Sequence, residues 1–179
     1  MSGERLDAEV CSSMMVDSPM VDGGHHSSLI HRHLREMVGY TDERIRVRYG
    51  ETDQMGHAYY ANYLFWFEQA RGAWCRDRGF TYKSLEEEGL FLPVVEAHVR
   101  YKGEVSYDDW VTVRVRVTEI RRAAIVFRYE VYNEASGKLT TEGHTWHVVM
   151  DPRTRKAISV PPHMRDLLER DPADYETLP

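Results

Sequence analysis

Tyr49-Gly50-Glu51-Thr52-Asp53-Gln54-Met55-Gly56-His57-Ala58-Tyr59-Tyr60-Ala61-Asn62-Tyr63 is the stretch on which the fold turns. It leaves a strand-like segment, passes one acid and a glycine turn, and enters an apolar run. Upstream, Ile45, Val47 and Tyr49 alternate with Arg44, Arg46 and Arg48, the period of a half-buried strand. Gly50 to Gly56 is turn chemistry. From Ala58 to Phe67 only Asn62 breaks the apolar residues, and a helix apolar on every side is one that the rest of the chain wraps. Polar residues return at Glu68, Gln69, Arg71, Arg76, Asp77 and Arg78, and Gly79 supplies a stop.

Downstream, a short helix across Ser84 to Glu88 closes at Gly89, and the remainder reads as strands. Phe91 to Gly103 is one mixed run with Pro93 near its start. Val111, Val113, Val115 and Val117 alternate with Thr112, Arg114, Arg116 and Thr118; Ile125, Phe127, Tyr129 and Val131 repeat the pattern. Asn133 to Lys138 is a hairpin loop, Thr140 to Met150 the returning strand, and Asp151-Pro152-Arg153-Thr154 turns into a short last strand around Ala157-Ile158. A terminal helix follows Pro161-Pro162 to about Arg170. Strand, long buried helix, then consecutive antiparallel strands make an α+β layout with one core over residues 41–170. Residues 1–40 mix Ser, Met, Asp, Gly and His without a sustained period and are expected to form a disordered arm, with a short helix possible across Leu29 to Val38; residues 171–179 form a tail.

The 179 residues, 42% apolar and 29% charged, suit a globular protein with a sizeable core. A formal charge of −6 excludes broad nucleic-acid binding, which needs a basic footprint. It leaves room for a local basic site, and because lysine occurs only at Lys83, Lys102, Lys138 and Lys156, that site would be arginine-built. Cys11 and Cys75 make no disulfide framework, no apolar run reaches the length of a membrane span, and the acidic N-terminus lacks a signal peptide's apolar core. The expectation is a cytoplasmic protein with no membrane or nucleic-acid partner.

A carboxylate aimed at a helix N-terminus suits attack on a polarised carbonyl. Thioester hydrolysis asks least of it: the leaving thiol, with a pKa near about 8.5, departs as thiolate without obligatory protonation. What remains is a nucleophile or general base and a donor for the developing oxyanion. Asp53 supplies the first. The free N–H groups at the helix start, near Tyr60, supply the second with help from the helix dipole, and Gly56 lets the chain bend so that both face one carbonyl.

Tyr49-x-x-Thr52-Asp53-x-x-Gly56, then Tyr60-x-Asn62-Tyr63, Phe67-Glu68 and Ala70-Arg71, resembles the 4-hydroxybenzoyl-CoA thioesterase family of hot-dog proteins. The likeness continues in Pro93-Val94-Val95-Glu96, Ser106-Tyr107-Asp108-Asp109 and Arg121-Arg122, and covers about residues 41–165. The resemblance implies a curved antiparallel sheet wrapped around a long helix, a homodimer or homotetramer with active sites at the dimer interface, and an acyl-CoA substrate with no cofactor or metal. It implies Asp53 as nucleophile or general base, the Tyr60 backbone N–H as carbonyl-polarising donor, Tyr49 lining the site, and Arg121 and Arg122 meeting the CoA phosphates. Many members carry histidine at the position of Tyr60; the 4-hydroxybenzoyl type carries tyrosine, as here. Where that subgroup has a third basic residue, this chain has Ala123.

Rival readings stand beside these. Alone, an acid before a helix is an N-cap, Tyr60 is plain core, and Tyr49 is core as readily as site wall. Glu68 in a mostly apolar helix must find a partner, and Arg71, three residues on, is expected to pair with it, although a related hot-dog subgroup uses a helix glutamate as base. Asn62 is expected to bond at the helix start and His57 to be exposed. His144 and His147 leave a strand from opposite faces and cannot form a metal pair, and His25, His26, His31 and His33 lack acidic or cysteine partners at ligand spacing. Two further functions compete: hydrolysis of acyl groups on acyl carrier protein, and a non-catalytic acyl-CoA-binding module. Gly-x-Ser-x-Gly, His-Glu-x-x-His and Gly-x-Gly-x-x-Gly motifs are all missing from the sequence.

Overall fold

A computed structural model describes residues 39–169. The arm's expected helix, its histidines, Cys11 and the tail lie outside the described residues. The elements in order are β1 (Thr41–Arg46), α1 (Asn62–Asp77), α2 (Tyr82–Glu87), β2 (Val94–Tyr101), β3 (Trp110–Ile120), β4 (Ala124–Asn133), β5 (Lys138–Val148) and α3 (Pro162–Glu169). The strands form one antiparallel sheet in the order β1-β3-β4-β5-β2, so the chain leaves β1 at one edge and returns with β2 at the other. This is the expected hot-dog arrangement, with α1 lying against one face of the sheet.

Register explains the core. Val115 faces Thr41 on one side and Tyr129 on the other, and Tyr129 faces Gly143. With a side-chain period of two, Val111, Val113, Val115 and Val117 therefore share a face with Phe127, Tyr129, Val131, Thr145 and His147, and all are buried. Phe67 of α1 stacks on Tyr129 at 4.2 Å and Trp74 meets Phe127 edge-on at 5.3 Å. Gly143 lets the helix come this close: a Cβ there would lie 2.5 Å from the His98 carbonyl oxygen and 2.7 Å from the Phe67 ring. Met164 and Leu168 of α3 complete the core.

Three expectations change. The first strand stops at Arg46 rather than Tyr49, because Val47 N–H bonds the Asp109 carbonyl and Tyr49–Glu51 closes into a tight helical turn. The expected last strand reduces to a single bridge between Ala157 and Met150. The long helix begins at Asn62, not Ala58, and it is not wrapped all round: Leu64 is 41% and Phe65 67% exposed. One sheet can cover only one side of a helix, so the opposite face of α1's first turns stays open among the described residues.

Candidate active site

Residues 51–62 form a closed loop tied back on itself. Asp53 N–H donates to the His57 carbonyl (2.9 Å), Gly56 N–H to the Asp53 carbonyl (2.9 Å) and Tyr59 N–H to the Glu51 carbonyl (2.8 Å). Gly56 has φ 83°, a left-handed conformation that costs glycine nothing. Ala58 N–H reaches the Val105 carbonyl at 2.7 Å, which docks the loop beside the entry to β3. The expected entry turn at Tyr107-Asp108-Asp109 is present, with Asp109 accepting from Ser106 N–H and Asn133.

Glu51 is the anchor. Its carboxylate accepts from Arg48 N–H (2.8 Å), the Arg48 guanidinium (2.7 Å) and the Trp66 indole (3.3 Å). Burial pushes this carboxyl's pKa up, but the Arg48 and Trp66 hydrogen bonds outweigh it and hold the pKa below the usual carboxylate range. The Asn62 side chain donates to the Glu51 carbonyl at 2.7 Å, the helix-start role expected of it. The Arg48-x-x-Glu51 spacing was the only sequence signal for this anchor.

Asp53 is half-buried. Its Oδ1 accepts the Met55 N–H at 2.8 Å, and among the described residues no group donates to Oδ2. The turn role and a free carboxylate oxygen thus coexist in one side chain. Nine residues on, Asn62 N–H donates to the Tyr59 carbonyl (2.9 Å), and Leu64 N–H donates to the Ala61 carbonyl (3.2 Å). Just before them, the N–H groups of Tyr60 and Ala61 have no acceptor among the described residues. These are the orphan donors of a helix start, carrying the positive end of the α1 dipole. The Tyr60 side chain is not core: it is 61% exposed and packs against Tyr59 at 4.4 Å. The Tyr59 phenol is held above its ordinary pKa first by its hydrogen bond with Tyr60 and last by the Asp53 charge, so the carboxylate lies within electrostatic reach of that phenol.

Tyr49 is also outside the core, 79% exposed with its ring edge-on to Tyr107 at 5.5 Å. Two shallow clefts flank the loop: one of about 360 Å³ between Arg48, Glu51, Asn62 and Phe65, the other of about 320 Å³ between Val47, Tyr49 and Tyr107. A comparable cleft, about 370 Å³, lies across the sheet face opposite α1, between His98, Arg128, His144 and Trp146. It shares no residue with the loop. His57 is part-buried and faces Glu104 at 3.1 Å rather than open solvent.

The expected Glu68–Arg71 pair does not form. Glu68 points outward, while Arg71 turns into the core, donating to the Tyr82 hydroxyl, to Tyr129 (3.4 Å) and toward His147 (3.1 Å). Burial, then the Arg71 charge, lowers the His147 pKa to about 4, and burial pushes the Cys75 thiol up to about 12. His144 emerges on the other sheet face, stacked on His98 at 5.2 Å. Among the described residues no three His, Cys, Asp or Glu side chains gather as metal ligands, and no helix is long and apolar enough to cross a membrane.

Arg121 and Arg122 sit in the β3–β4 turn. Arg121 pairs with Glu119 at 2.9 Å and lies over the Trp146 ring at 4.2 Å; Arg122 is exposed. The loop docks at the start of β3 and these arginines follow its end, about 35 Å along the strand. The single chain does not bring them together with Asp53.

A family model described as the thioesterase-like superfamily matches residues 47–168. YneP of Bacillus subtilis, which carries the provisional name of an acyl-CoA thioesterase, is 37% identical over 116 residues, spanning 65% of this chain and 83% of that protein. The crystal structure of a DHNA-CoA thioesterase from Staphylococcus aureus is 36% identical with a TM-score of 0.67, covering 71% of this chain and 85% of that one. A 4-hydroxybenzoyl-CoA thioesterase mutant complexed with 4-hydroxybenzoyl-CoA shares the fold at 24% identity, with a TM-score of 0.66 over 72% of this chain and 98% of that one.

Proposed function

The chain belongs to the thioesterase-like superfamily, and from that premise we propose that it is an acyl-CoA thioesterase, releasing a free acid and CoA at the Asp53 loop. The observation that carries this reading is the pairing of a free carboxylate oxygen on Asp53 with the unspent N–H groups of Tyr60 and Ala61 on one rigid loop. The thioester carbonyl oxygen sits against the Tyr60 N–H. Asp53 attacks the carbonyl carbon or takes the proton of an attacking water, the helix start holds the oxyanion, and the thiolate leaves; in the first case water then hydrolyses the acyl-Asp53 anhydride to release the acid and restore the carboxylate. Tyr49, Phe65 and Tyr107 offer open aromatic surface to an apolar acyl group, and Tyr49 lines the site.

The working unit is a homodimer built across β2. Among the described residues that strand is a sheet edge with unpaired backbone groups, and it is exposed along nearly its whole length, Val94 by 49% and Val95 by 59%. A second β2 pairing antiparallel about a two-fold axis would continue the sheet. The same axis reverses the strands, so the Arg121–Arg122 end of one protomer comes to the Asp53 end of its partner. The site is then composite, with Arg121 and Arg122 meeting the CoA phosphates at a loop their own protomer leaves out of reach. The sparse cysteines and the nature of the substrate fit a cytoplasmic enzyme.

The test is free-thiol release from a panel of aliphatic and aromatic acyl-CoAs. Asp53→Asn should lower kcat by about 10³-fold or more. Release from no substrate, or undiminished release by the variant, would sink the mechanism. Replacing Arg121 and Arg122 by Ala should raise KM more for CoA thioesters than for pantetheine analogues; equal effects would remove the phosphate assignment.

A further inference from the structure

The Tyr60 carbonyl occupies an unusual position. At the start of α1 it would ordinarily accept a helical N–H, yet Leu64 N–H bonds the Ala61 carbonyl instead, and no backbone donor reaches Tyr60 among the described residues. Its partner is a side chain from across the fold. The Tyr101 hydroxyl, on the last residue of β2, donates to the Tyr60 carbonyl oxygen at 2.8 Å. Tyr101 is itself held, its backbone paired with Thr141 of β5 and its ring edge-on to the buried Tyr63 at 5.1 Å.

A peptide unit is planar, with its C=O and N–H pointing in opposite directions. A bond to the Tyr60 oxygen therefore sets the direction of the Ala61 N–H. The preceding unit is set the same way, because its Tyr59 carbonyl accepts Asn62 N–H at 2.9 Å. The same bond closes a turn over Tyr60 and Ala61, and Ala61, its second central residue, has φ −71° and ψ −23°; that is type I geometry, which puts Tyr60 in the helical region, so the Tyr60 and Ala61 N–H groups point the same way. We propose that Tyr101 is a positioning residue: its hydroxyl aims the Ala61 N–H so that it joins the Tyr60 N–H as a second donor to the oxyanion. This rests on the assignment of the thioester carbonyl to the Tyr60 N–H. It also ties the oxyanion donors to β2, the strand through which the dimer forms, so assembly and the aim of these donors depend on one element.

Tyr101→Phe in the full chain tests the proposal, because the ring stays against Tyr63 and only the hydroxyl goes. With an acyl-CoA that the wild-type protein hydrolyses, kcat should fall by about tenfold to a hundredfold, short of the full loss of an oxyanion donor, and KM should stay within about twofold. A purely structural role would not move the carbonyl stretch of a bound thioester. That frequency, read by isotope-edited infrared spectroscopy in the slowed Asp53→Asn protein, should lie closer to its free value once Tyr101→Phe is added. An unchanged kcat, or a fall in kcat with an unchanged carbonyl stretch, would overturn the role of Tyr101 while leaving the loop as the site. No thiol release by the wild-type protein, or full release by Asp53→Asn, would overturn both.

Discussion

At the N-terminal end of α1, Tyr60 and Phe65 stand 61% and 67% exposed and the Tyr60 and Ala61 N–H groups lack an acceptor among the described residues; about four turns on, Trp74 and Arg78 are wholly buried. The second end follows the ordinary rules of an interior. Arg78 stacks on Trp74 at 3.7 Å and donates to the Trp74 and Gly39 carbonyls, and Arg71 distributes its guanidinium over two tyrosines and a histidine. Apolar area is covered and both buried guanidiniums are given acceptors, as folding requires. The first end leaves apolar rings in solvent and donors unmet, though Glu51 and Asn62 hold its backbone rigidly. Local departures of this kind from the rules of folding are where a site is to be sought.

If the two ends differ in this way, changes at the sealed end should cost stability and spare turnover, and changes at the open end the reverse. The largest effect is expected from Trp74→Ala, which empties the core beside Phe127 and should lower the unfolding free energy by about 3–5 kcal/mol in urea titrations. The kcat per folded molecule should stay near wild type; a large fall would mean that the ends are not separable.

His147 comes next. Its folded pKa, near about 4, lies below the unfolded value of about 6.5, so the unfolded chain takes up a proton that the folded one refuses. Stability should therefore rise from pH 4 to 6.5, by about 3 kcal/mol, and gain nothing further from this group above that. His147→Gln should flatten this window relative to wild type in urea midpoints taken across it; equal slopes would remove His147 as the source.

At the open end, Asn62→Ala removes the 2.7 Å bond to the Glu51 carbonyl. It should cost about 1 kcal/mol of stability but about tenfold in kcat, since the loop that carries Asp53 loses a tie. A stability loss alone would make this end merely structural. The smallest effect belongs to Phe65→Ser, which should raise KM for apolar acyl substrates about threefold, under 1 kcal/mol, and leave the unfolding midpoint almost unmoved. A marked fall in midpoint would show the ring to be already covered.

Much of the architecture was legible in sequence where local pattern and final environment coincide. The alternation of Val111 to Val117 and of Ile125 to Val131 marks a sheet with one buried face, and β3 and β4 have it. Asp53 and Gly56 were legible as a turn because their chemistry is local: the carboxylate bonds two residues on and the glycine takes a left-handed φ. Glu68 and Arg71 misled for the same reason. Their spacing proposed a pair, but Arg71 finds partners 11, 58 and 76 residues away. The all-apolar run from Ala58 to Phe67 carried no period, so nothing in it distinguished the covered face from the open one.

By itself, then, the sequence determined the order of elements, the buried face of the central strands and the acid at the glycine turn, since each follows from neighbours within a few residues. The tertiary structure alone decided which face of α1 remains open and how Tyr101 reaches the Tyr60 carbonyl from 41 residues away. Those depend on how the sheet closes over the helix, and a contact made only by that closure leaves no local trace in the chain.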